Sequence, residues 1–225
     1  MKRQSNAPSE RTRLRRVHER GSYGRDSLHA VLDATPLCHV GYTIDGLPHV
    51  TPTLQWRDGD RVYWHGSSAS RALRESTGTD VCLSVAVLDG LVLARSAFHH
   101  SANYRSVTVF GKARKLLDPA EKTKALRRFV DLLFPDRWDT LRAMTDQEVK
   151  ATTVLWMPLD EASAKVRTGG PVDDKADYGL PIWAGVIPFR TETSRPIPDD
   201  RLQTGLTVPD HVRAYAGSPT PWRRA

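Results

Sequence analysis

The sequence predicts a mainly β fold, a small antiparallel barrel of about six or more strands with flanking helices. Three observations carry this expectation. Strand-like runs follow one another closely, tight-turn dipeptides separate them, and the strand–helix–strand alternation of a parallel sheet is nearly absent. Residues 26–36, DSLHAVLDATP, place Leu28, Val31 and Leu32 at i, i+3 and i+4 behind an Asp26 cap and ahead of Pro36, which predicts one short amphipathic helix. LCHVGYTI, Asp45-Gly46 and LPHVTPTLQW then read as a hairpin, and the turn at 57–60, RDGD, leads into a third strand, RVYWH. Pro48 and Pro52 cannot donate to a ladder, so the second strand is expected to be bulged or edge-like where they sit. GSSASRALRES predicts a helical turn. TDVCLSVAVL, Asp89-Gly90 and LVLARSAF read as a second hairpin, followed by a long strand, YRSVTVFGKARKLL, interrupted at Gly111. Residues 119–134 set Leu126, Phe129, Val130 and Leu133 on one stripe with Pro119 in the first turn, the pattern of a helix packed on a sheet. TTVLWMPL and EASAKVR return to strand character before Gly169-Gly170-Pro171 opens a loop.

The 225 residues are 39% hydrophobic and 26% charged, a composition suited to one globular domain with tails. Residues 1–25 form a basic arm expected to be disordered, 26–188 the folded domain, and 189–225 a Pro- and Arg-rich extension expected to be only partly ordered. No apolar stretch approaches the roughly 20 residues of a membrane helix, and the basic N-terminus lacks a signal peptide's apolar segment. Cys38 and Cys82 are too few for a disulfide framework or a zinc ribbon. A cytoplasmic protein is expected. Of the net charge of +7, +6 resides in the first 25 residues, so the folded body carries no basic excess and a nucleic-acid role would rest on the arm alone.

Chemistry is expected first at His65-Gly66-Ser67-Ser68-Ala69-Ser70-Arg71, where the third strand runs into a helix. Hydroxyls, a glycine and an arginine fork suit a phosphate dianion, although serines there could equally cap the helix. Asn103-Tyr104-Arg105-Ser106 is a second candidate; on a strand Tyr104 and Ser106 share one face and Arg105 lies on the other. No metal site is expected. His39 and His49 face opposite sides of the hairpin, and the neighbours His99 and His100 diverge on an extended chain. His65 could serve as proton donor or axial ligand, and Trp56, Trp64, Trp156 and Trp183 could wall a flat cofactor or fill the core. There is no dinucleotide fingerprint, P-loop or nucleophile elbow.

Taken in order, TPTLQW, DGDRVYWHGSSASR, GLVLARSAFHHSANYRSVTVFGKAR, EASAKVRTGGP and WAGVIP resemble the pyridoxamine 5′-phosphate oxidase-like flavoproteins over about residues 26–188. Within that family they look like the branch containing the nitroimidazole-resistance proteins. The resemblance implies a split β-barrel homodimer with FMN in a groove between subunits. It places His65, Gly66, Ser67, Ser70 and Arg71 on the ribityl phosphate, with Tyr104, Arg105 and Ser106 as further contacts. Thr51, Thr53 and Leu54 would pass the isoalloxazine edge, and Lys165, Arg167 and Trp183 would reach it from the partner. The implied activity is electron transfer from a reduced nicotinamide or another donor to a small aromatic acceptor such as a nitro compound or quinone. Deazaflavin, haem on His65, and a binding module that sequesters its cofactor are the alternatives. Arg71 stands where relatives commonly carry lysine, and the substrate-phosphate ligands of the pyridoxal-producing members are not found, which argues against vitamin B6 oxidation.

Overall fold

A computed structural model of the chain describes residues 7–217. Chain order runs β1 (Gly21–Ser22), α1 (Arg25–Leu32), β2 (Leu37–Ile44), β3 (Leu47–Asp58), β4 (Arg61–Ser67), α2 (Arg71–Ser76), β5 (Asp80–Leu93), β6 (Ser101–Lys112) and β7 (Arg114–Lys115). It continues through α3 (Pro119–Leu133), α4 (Asp146–Ala151), β8 (Thr152–Pro158), β9 (Glu161–Arg167), β10 (Gly185–Pro188) and α5 (Asp210–Arg213). All strands join one antiparallel sheet in the order β1-β9-β6-β5-β2-β3-β4-β8-β7, with β10 also pairing β5. The sheet curls into an open half-barrel, which agrees with the expected fold.

The first hairpin follows its turn chemistry. Asp45 and Gly46 both take positive φ, 51° and 77°, the pairing a two-residue turn of this hand requires. Tyr42 therefore faces His49 and His39 faces Pro52, as the sequence predicts. β3 continues through Pro48 and Pro52 with an unbroken register against β2.

Asp89-Gly90 behaves otherwise. The expected hairpin turn is instead a register shift within a single long β5, which runs on to Leu93 and pairs β6 throughout. The Asp89 carboxylate is held by the Arg105 guanidinium across the ladder at 2.8 and 2.7 Å. A Cβ at Gly90 would meet the Ile187 carbonyl oxygen at 2.6 Å, so glycine here admits the close approach of β10. The chain reverses at residues 94–100 instead.

Two apolar cores lie on the sheet. One gathers Leu28, Val31 and Leu32 of α1 with Val62, Trp64, Leu83, Val85, Val107 and Met157. The other packs Leu126 and Phe129 of α3 against Trp56, Tyr63 and Val154. α3 starts as predicted, with Pro119 in its first turn and the Asp118 carboxylate accepting from Glu121 N at 2.9 Å. α1 instead takes Gly24 as its N-cap, and Asp26 lies inside its first turn.

The described part of the arm, residues 7–25, is largely solvent-facing but touches the sheet edge at a few points. Residues 21 and 22 pair with Lys165 and Ala164, Thr12 is buried, and Arg11 forms ion pairs with Glu161 and Asp80. The arm's charge is therefore partly spent on acidic groups of the sheet edge, a match that composition cannot reveal. From residue 189 onward most of the described extension is exposed, with α5 as its helix. No helix among the described residues is long and apolar enough to cross a membrane.

Candidate cofactor site

Strand alternation brings Thr51 and Thr53 of β3 to one face, and β4, which runs on past its ladder with β3 while still paired to β8, carries His65, Gly66 and Ser67 into the same cleft. Together with Ser70 they line a cleft of about 180 Å³ walled by Val40, Tyr42, Trp64, Leu73 and Ser76. Six sequence-predicted residues are thus gathered in one place. Ser70 occupies the N-cap of α2 but its side chain makes no capping bond, and Ser67 Oγ accepts only from Ala69 N at 3.2 Å. The serines are accordingly not explained as helix caps. Tyr42 Oη and Thr51 Oγ1 lie 2.9 Å apart, and the Tyr42 ring stacks on His49. Tyr42, Val40 and Ser76 were not singled out in sequence. Tyr42 was within reach, since the Asp45-Gly46 register fixes its hairpin position.

Gly66 leaves little room above itself: a Cβ there would sit 3.0 Å from Leu73 Cδ1. Arg71 follows Ser70 in sequence but does not line the cleft; it is mostly exposed, its guanidinium 3.7 Å from the Asp45 carboxylate. Leu54, one residue out of phase with Thr53, is exposed on the opposite face of β3.

His65 joins this cleft to the second core. Its ring lies 4.7 Å from Phe129 and 5.7 Å from Trp56, centroid to centroid. Its Nδ1 is buried without a hydrogen-bond partner, and so is the Trp56 Nε1. Burial pushes the His65 pKa below its usual 6.5, so the imidazole is neutral at pH 7. By contrast, Cys38 is an inert thiol, pushed up to about 12 by burial.

The second set of predicted residues lies apart on β6 and β9. Tyr104 pairs with Arg167, and Ser106 with Lys165. Ser106 Oγ donates to the Lys165 carbonyl at 3.3 Å, and Lys165 Nζ to the Arg16 carbonyl at 3.1 Å. Arg167 is buried, its guanidinium donating to Asn103 Oδ1 and to the Gly169 and Gly170 carbonyls. Arg105 is taken by Asp89 and borders a separate cavity of about 690 Å³ with Leu88, Phe189 and Arg190. Trp183 is largely exposed. Within one chain these residues do not meet the Thr51–Ser70 cleft.

Curled sheet and cleft together define a split-barrel protein. The chain belongs to the pyridoxamine 5′-phosphate oxidase family, whose pattern matches residues 24–166. The flavocytochrome Anf3 from Azotobacter vinelandii is similar in structure, with a TM-score of 0.91 and 47% identity over 95% of this chain and 100% of that one. An FAD- and haem-binding protein from Mycobacterium smegmatis is 35% identical, with a TM-score of 0.85 over 89% of this chain and 99% of that one. A protein from Bacteroides thetaiotaomicron assigned to 5-nitroimidazole antibiotic resistance shares the fold at 22% identity and a TM-score of 0.53, over 64% of this chain and 84% of that one. No curated protein matches the sequence.

Proposed function

We propose that this chain is a flavin-binding oxidoreductase that acts on a small aromatic molecule of the nitro or quinone type. The observation that carries the reading is the single cleft lined by Thr51, Thr53, His65, Gly66, Ser67 and Ser70. Its hydroxyls and the nearby Arg71 match the ribityl phosphate that FMN and FAD share, and Trp64 and Leu73 supply apolar wall. At about 180 Å³ the cleft would hold the phosphate and ribityl end, with Thr51, Thr53 and Leu54 as the β3 residues that would meet the flavin ring. Exposed Leu37, Leu54, Leu88 and Leu91 offer an apolar surface for a second copy, which would bring Tyr104, Arg105, Ser106, Lys165, Arg167 and Trp183 of one subunit toward the cleft of the other. When bound, the flavin supplies the redox chemistry; the chain binds, orients and shields it.

A second cofactor is favoured by one specific observation. The neutral His65 imidazole presents an unpartnered, buried Nδ1 against the aromatic wall of Trp56 and Phe129, a donor set that fits haem iron. Of the two relatives at 47% and 35% identity, Anf3 is described as a flavocytochrome and the other as binding FAD and haem. His65 would then serve as ligand and His65–Phe129 packing would orient it.

The test is anaerobic turnover by the purified, cofactor-loaded protein with reduced nicotinamide and a nitroaromatic or quinone acceptor. Reduction of the acceptor supports the oxidoreductase reading. Persistent failure with every donor and acceptor leaves cofactor sequestration and refutes the enzyme.

A further inference from the structure

Outside the proposed cofactor site, the reversal at 94–100 meets the loop that follows β9. His99, Asp173 and Asp177 converge there, one imidazole nitrogen and one oxygen from each carboxylate lying within 4.8 Å of one another. Histidine spacing alone gives no sign of this cluster, because two of the three ligands come from a loop more than 70 positions away. We propose that these three side chains form a site for a divalent transition-metal ion of the zinc type.

The cluster is built in the manner of such sites, with two of its three ligands held by a second group. Ser96 Oγ lies 2.8 Å from His99 Nδ1 and fixes the ring. The Asp173 side chain is fully buried and accepts from Arg95 N at 3.0 Å and from the Arg95 guanidinium at 2.9 Å. Arg95 in turn lies over the Tyr178 ring at 5.0 Å. Asp177, half-buried, makes no side-chain hydrogen bond or ion pair among the described residues, although a second carboxylate stands beside it. Two carboxylates against one guanidinium leave a net charge of −1, so a cation is attracted even with Arg95 in place. One nitrogen and two oxygens is a mixed set that suits zinc better than magnesium or calcium, which prefer all-oxygen shells. His99 and Asp177 are both half-buried, which leaves an approach for the ion and room for water to complete its coordination. Bound there, the ion fastens the 169–180 loop to the 94–100 reversal.

The experiment is equilibrium dialysis of tag-free, full-length protein, previously stripped with chelator, against equal zinc and magnesium, followed by elemental analysis. His99→Ala and Asp177→Asn run in parallel; both positions are half-buried, and far-ultraviolet dichroism confirms that each variant is folded. The expected result is one zinc per chain in the native protein, lost in each variant, with zinc raising the melting temperature of the native protein alone. Absence of bound zinc, zinc retained equally by both variants, or magnesium taken up in its place would each overturn the assignment.

Discussion

Replacing His65 with leucine separates a ligand from a packed core residue. Its Nδ1 is buried with no partner, and a buried polar atom left unpaired costs about 1–3 kcal/mol. Leucine removes that cost. It also forfeits the ring contacts with Phe129 and Trp56, about 0.5–1.5 kcal/mol, and fits the space less well, by less than about 1.5 kcal/mol. The two sides nearly cancel, so urea unfolding of the cofactor-free protein should give a stability within about 1 kcal/mol of the native chain. A pH series adds a sign. Because the folded-state pKa lies below 6.5, the unfolded chain takes up this proton first as pH falls, and native stability declines below pH 6.5. The leucine variant should lack that component, so the difference between the two curves moves in its favour in acid. The loaded protein should behave oppositely, losing any Soret absorption with the imidazole. A loss of about 2 kcal/mol or more in the cofactor-free variant would show a well-satisfied structural histidine and refute the reasoning.

Three other perturbations test separate parts of the account. Arg71→Ala should weaken FMN by about 10- to 100-fold, the value of a charge-assisted hydrogen bond, while leaving riboflavin nearly unchanged in a fluorescence titration; equal losses would remove Arg71 from the phosphate. Gly90→Ala drives a Cβ to 2.6 Å from the Ile187 carbonyl, so faster amide exchange at Val186 and a penalty of about 1–3 kcal/mol are expected; unchanged exchange would mean that β10 does not depend on this contact. For Asp173, burial works to raise the carboxyl pKa, but hydrogen bonds from Arg95 N and the Arg95 guanidinium outweigh it and hold the value below 3.8. Its contribution is full above that ordinary value and is lost as pH falls through the depressed one. The stability gap between native protein and Asp173→Asn should therefore be open at pH 7 and close in strong acid; a gap independent of pH would exclude the ion pair as its source.

Local chemistry explains which parts of this molecule could be read in advance. Asp45-Gly46 dictates its turn, the turn dictates the register, and the register places Tyr42 and Thr51, so the hairpin and one wall of the cleft follow from adjacent residues. Pro119 and Asp118 announce α3 in the same way. Asp89-Gly90 carries the same dipeptide signal yet is a bulge, because Arg105 sits across the ladder to take the carboxylate and β10 covers the glycine. Both partners are tertiary, and neither is visible in a local window. The arm's contacts are hidden for a related reason: its positive charge signals solvation, and the Arg11 pairs with Glu161 and Asp80 arise only in the folded chain. Ser67, Ser70 and His65 were recognisable as one block. The role of Arg167 as a buried donor to loop carbonyls, and the position of Asp177 beside His99, follow only from contacts made by the folded chain.

The account's central claim is a cofactor seated on the Thr51–Ser70 cleft, and the absorption spectrum of the purified protein, with acid release and chromatography of the chromophore, tests it most directly. The account predicts the twin bands of a flavin and release of a flavin nucleotide, with a Soret band added where haem occupies His65. A colourless protein that takes up neither FMN, FAD nor haem when they are supplied would contradict it.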